Sequence, residues 1–194
     1  MTLEKLAKYI SFIQGPYILL PILIILSLFK TGLTQSRQFV LMPLFLFLIV
    51  IFPTIVLYLM IKRKVISDWD VRKREERYKI LPVFLGSMIF ATASSYYLAT
   101  LLFFHISVIS LTVVFVAVAI TYFWKISLHA ILNTSFFLIV NFLFYWKLPY
   151  LYFLIPVVGW ARYYHKHHSL LQISAGIALS VLIVLSGLHL LGYI

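Results

Sequence analysis

The chain has 194 residues, 63% of them hydrophobic and 11% charged, whereas a soluble domain runs near 45–50% apolar and about 25% charged. One core of this size cannot hide that much apolar surface, which excludes a soluble globular fold and a disordered chain alike. The formal net charge of +11 sits in short breaks between apolar runs, so lipid head groups and phosphates, not nucleic acid, are the expected partners. No cysteine is present, which excludes disulfides and thiolate metal sites.

Lys, Arg, Asp and Glu mark the breaks. Residues 9–29 are free of them, long enough to cross a hydrocarbon core of about 30 Å. This run is too long for a signal peptide and lacks a small-residue cleavage site, so a retained first helix is expected, kinked by Pro16 and Pro21. Residues 38–61 give a second span, and 62–79 form the long polar segment. Residues 80–124 then carry no charge; a single helix there would be about 68 Å long, so two spans are expected, with a break near His105. Residues 126–146 form a fifth span, 148–164 a sixth and 169–194 a seventh. The runs are continuous, not alternating, which predicts an all-α transmembrane bundle of six to seven spans in one domain, 1–194. Trp124, Trp146, Tyr150, Tyr152, Trp160, Tyr163 and Tyr164 lie near span ends, as in an interfacial aromatic belt.

Seven spans impose parity. The N-terminus, loop 62–79, the turn at Lys125 and segment 162–168 share one face. That face holds His129, His165, His167 and His168, 13 of the 16 Lys and Arg, and all five carboxylates. Guanidinium forks bind phosphate, and imidazole can attack phosphorus or protonate a leaving oxygen. No Cys and no Gly-x-Ser-x-Gly turn offers a better nucleophile. His165 and His167 read as interfacial bystanders, and His105 and His189, on the opposite side, as structural. Asp68, Asp70, Glu75 and Glu76 read as solvated charges balancing their own loop. Asp68-Trp69-Asp70 is one acidic cluster, whereas intramembrane prenyltransferases pair two.

The stretch Arg162-Tyr-Tyr-His-Lys-His-His168-Ser-Leu-Leu-Gln172-Ile-Ser-Ala-Gly176 resembles the third motif of the type 2 phosphatidic acid phosphatase superfamily: Arg, five residues, His, three residues, Asp. Gln172 stands at the Asp position. Lys125-Ile-Ser127-Leu-His129 resembles the second motif, Pro-Ser-Gly-His, and Arg74-Glu-Glu-Arg77 with Lys79 and Pro82 resembles a degenerate first motif. The resemblance covers about residues 62–180. It implies a lipid phosphate or diphosphate phosphatase with His168 as nucleophile, His129 as acid and Gln172 in the orienting position. Arg162, Ser127, Arg74, Arg77 and Lys79 would be the phosphate ligands. It implies no metal or other cofactor. The runner-up expectation is a catalytically weak relative that binds or transfers anionic lipid. The Lys and Arg excess places the active face in the cytoplasm of a cell (plasma) membrane protein.

Overall fold

The computed structural model describes residues 2–194, and among these there is no strand. α1 (Leu3–Ile13) is capped by Thr2 and ends at Gln14–Gly15. Pro16 then opens α2 (Pro16–Lys30), a position where its missing N–H leaves no bond unmade. The interruption therefore precedes Pro16, and Pro21 is carried inside α2. α3 (Gln35–Leu46) and α4 (Phe52–Lys62) form one run, joined by a π-helical turn over Phe47–Ile51. Pro53 follows that turn and cannot donate to the carbonyl of Ile49; the wider turn absorbs the mismatch.

α5 (Arg74–Leu98) and α6 (Leu101–Phe123) are separate, as the charge-free length requires. The break lies at Ala99–Thr100, however, and not near His105, which sits inside α6. Thr100 makes it without Gly or Pro. Its hydroxyl accepts from the Phe103 N–H, capping α6, and donates to the Thr31 carbonyl at 2.9 Å. α7 (Leu128–Leu143), a 3-10 turn over Pro149–Phe153, α8 (Leu154–Tyr164) and α9 (Leu170–Leu190) complete the chain.

All seven expected segments are helical. Five are long and apolar enough to cross a membrane: 3–30, 35–62, 74–98, 101–123 and 170–190. Large apolar side chains such as Phe90 and Leu182 face outward on them, so the chain is an all-α integral membrane bundle. α7 and α8 fall short of the expected full spans. The reason for α7 is its central position: twelve of its sixteen residues are buried, against α2, α6, α8 and α9. A helix wrapped in protein need not match the lipid thickness. Ile106, Ile109, Val113, Ile131, Ile139 and Val184 form the core between α6, α7 and α9.

Candidate functional site

The segments expected on one face do meet. Loop 63–73, the start of α5, the turn 124–127, the start of α7 and the segment from Arg162 to Gln172 converge at one end of the bundle. Ser127 caps α7, its hydroxyl accepting from the Ala130 N–H at 3.3 Å. The Ser127 N–H donates to the Gln172 carbonyl at 3.3 Å. This seam depends on Gly176, where a Cβ would lie 3.0 Å from the Ser127 carbonyl oxygen.

The tautomer of His168 follows from its neighbours. Ser169 opens α9 with a capping box, in which its N–H donates to Gln172 Oε1 at 3.2 Å. That contact identifies the amide oxygen, because an N–H cannot donate to the amide nitrogen. His168 Nδ1 lies 3.0 Å from the same oxygen and must donate to it. In the neutral ring the lone pair is then on Nε2, which has no hydrogen bond among the described residues. Gln172 thus orients the ring without supplying charge. Burial lowers the His168 pKa, Arg77 lowers it further, and Arg162 and Lys125 add to this; the hydrogen bond it donates to Gln172 opposes them, and the result is about 3. The ring is therefore neutral near pH 7.

Arg77 and Arg162 are both buried. Arg77 donates from Nε to the Val71 carbonyl (3.0 Å) and from Nη1 to the Ile126 carbonyl (2.9 Å). Arg162 donates from Nη1 to Asp70 Oδ2 at 3.2 Å, while its buried Nε–H has no partner. A buried, unpaired guanidinium donor is costly unless an acceptor joins it. Burial and the charges of Arg77 and Arg162 depress the Lys125 pKa, which puts a third cation beside them. His129 occupies the first turn of α7, where Asn133 Nδ2 donates to its carbonyl at 2.8 Å. Its ring makes no protein hydrogen bond among the described residues.

Arg74 and Lys79 lie apart from this group. Arg74 donates to the Phe123 carbonyl at 2.8 Å and lies over the Tyr78 ring; Lys79 donates to the Val65 carbonyl at 3.2 Å. At about 100° per residue, Lys79 lies about 160° around α5 from Arg77, whereas Arg74 is only about 60° away and is turned to the Phe123 carbonyl.

Two site neighbours were not anticipated. Asp70, read from sequence as a solvated loop charge, binds Arg162 instead, whereas Asp68 pairs with Arg72 and Glu76 with Lys73. Burial works to raise the Asp70 carboxyl, but Arg162, His129 and His167 outweigh it, and the net shift is downward. His167, read as a bystander, has Nδ1 3.8 Å from Asp70 Oδ2, and burial with Arg162 pushes its pKa down to about 4. No local signal separates Asp70 from Asp68; only the fold does. Among the described residues no group of three or more His, Asp or Glu side chains is placed to hold a metal ion. A groove of about 570 Å³ lies between α5 and α6 and is lined by Pro82, Phe115, Tyr122 and their neighbours, away from the cluster.

No protein-family model, curated protein or solved structure matches the chain.

Proposed function

We propose that the chain is a membrane-embedded lipid phosphate or diphosphate phosphatase working through a phosphohistidine. One observation carries this reading: a neutral His168, with its Nδ1 proton fixed and Nε2 free, stands among buried arginines, one of which has an unpaired N–H. Of the three cations Arg77, Arg162 and Lys125, Arg162 alone is ion-paired with a carboxylate, Asp70, among the described residues, and Asp68 and Glu75 act from farther off. The surplus suits a phosphomonoester dianion.

In this mechanism Arg162, Arg77 and Lys125 hold the phosphoryl oxygens. His168 Nε2 attacks phosphorus, and the bond from phosphorus to the lipid oxygen breaks. His129, which must be the imidazolium once the phosphate dianion is bound, gives its proton to the leaving oxygen and becomes neutral. Water, deprotonated by His129, then attacks the phosphohistidine and releases phosphate, restoring both rings. Ser127 acts through its cap, which sets the first turn of α7 and so the place of His129. The chemistry uses only this chain's side chains and water. The Lys and Arg bias supports a cytoplasmic active face in the cell membrane.

The test is phosphate release in detergent with EDTA, from a panel of lipid monophosphates and diphosphates. Wild type should release phosphate, and His168→Ala should lower the rate about 10³-fold or more. Equal rates in the two proteins would sink the mechanism. A second reading, a lipid-binding relative with little catalysis, is favoured by one feature: Gln172 stabilises no imidazolium. It predicts phosphatidic acid binding with no release from any lipid.

A further inference from the structure

The buried Arg162 is held from one side only. Asp70 takes Nη1. The opposite edge, Nε with Nη2, makes no hydrogen bond to protein among the described residues, and its Nε–H is buried. That edge is the fork that donates two parallel hydrogen bonds to a phosphate. The next residue, Val71, gives its carbonyl to Arg77. Val71 does so at φ +45°, a left-handed conformation that a β-branched residue rarely adopts. Two adjacent loop residues thus grip both buried arginines, and the backbone accepts strain to do it. Trp69 anchors the loop from the other side, edge-on to Tyr17 of α2 and stacked with Tyr58 of α4.

We propose that Asp70 is a positioning residue for Arg162, fixing Nη1 so that the Nε–Nη2 edge is presented, already oriented, to a phosphomonoester. The inference rests on the phosphate reading above. Without Asp70, Arg162 keeps its charge but loses its fixed direction, and binding must then include the cost of ordering it. A simpler electrostatic view predicts the opposite sign, because removing a carboxylate makes the cluster more positive. The two views therefore separate cleanly.

The experiment measures binding of dioctanoyl phosphatidic acid in detergent to the full chain carrying His168→Ala, with and without Asp70→Asn, Asp70→Glu or Arg162→Lys. Asp70→Asn should weaken binding about tenfold or more, Asp70→Glu should recover most of it, and Arg162→Lys, which cannot fork, should lose as much as Asp70→Asn. In the chain with His168 intact, Asp70→Asn should raise KM more than it lowers kcat. Binding by Asp70→Asn as tight as or tighter than the parent overturns the proposal and makes Asp70 a competitor of phosphate. If Asp70→Asn does not fold, Arg162→Lys decides: parent-like binding by that variant overturns it equally. Wild type that releases no phosphate, with the binding pattern intact, sinks the phosphatase reading and leaves the positioning role standing.

Discussion

His105 and His189 lie at one end of the bundle, and each has a ring nitrogen satisfied by one neighbour: the Tyr193 hydroxyl at 2.9 Å and the Ile194 carbonyl at 3.0 Å. At the other end Arg77, Arg162 and His168 are buried together, and Arg162 Nε and His167 Nδ1 are buried without hydrogen bonds. Both ends are built from the same helices and similar residue types. The first end uses polar groups to close turns. The second leaves a charged guanidinium N–H unspent at a place where leaving it so is expensive, and that feature marks a site more reliably than a count of histidines.

The comparison breaks most directly at the arginines. Arg162→Ala should cut phosphate release about 10²-fold or more, while Lys79→Ala, whose ammonium serves the Val65 carbonyl, should stay within about threefold. Equal losses would mean that charge density, not the buried fork, drives the reaction.

Two glycines of α9 sharpen it. Gly176→Ala presses on the Ser127 carbonyl at 3.0 Å, and Gly187→Ala on Ile109 Cγ1 at 2.8 Å at the far end. Each should destabilise the bundle by about 1–3 kcal/mol. Only Gly176→Ala should also slow release, by about tenfold, in initial rates taken below both melting midpoints. A matching loss in Gly187→Ala would show that general loosening suffices.

The smallest effect is in the pH dependence of stability. His168 and His167 are lowered to about 3 and about 4, from an ordinary value near 6.5. Between about pH 6.5 and 4 the unfolded chain binds protons that the folded chain refuses, so stability falls as pH falls through that window. The thermal midpoint should drop from pH 7 to pH 4.5, and drop less in His167→Gln. A flat midpoint would mean that the folded histidines accept protons as readily as free ones.

The helical bundle was legible because charges are so rare that each group of them marks a turn. Parity then put loop 62–79, His129 and Arg162 to His168 on one face. The break at Ala99–Thr100 was harder to place: Thr100 caps a helix in a run rich in Ser and Thr, and nothing in the one-dimensional pattern singles it out. Motif spacing put Gln172 beside His168, which stands just outside α9, where the capping box folds the Gln172 side chain back toward it. Asp70 was illegible for the opposite reason. Its partner Arg162 lies 92 positions away, and three other carboxylates nearby do pair within their own segment.

The shortness of α7 has a mechanical consequence. Sixteen residues make about 24 Å of helix, against a hydrocarbon layer of about 30 Å. His129, on the first turn of α7, is therefore set by protein length, while the head-group plane is set by the surrounding lipid. On the phosphatase reading, a lipid phosphate would meet the histidines only where the leaflet puckers to them, at an elastic cost of fractions of a kcal/mol for each ångström. On that reading, bilayer thickness would become a control on the reaction, with thin membranes favouring turnover and thick ones holding the substrate away.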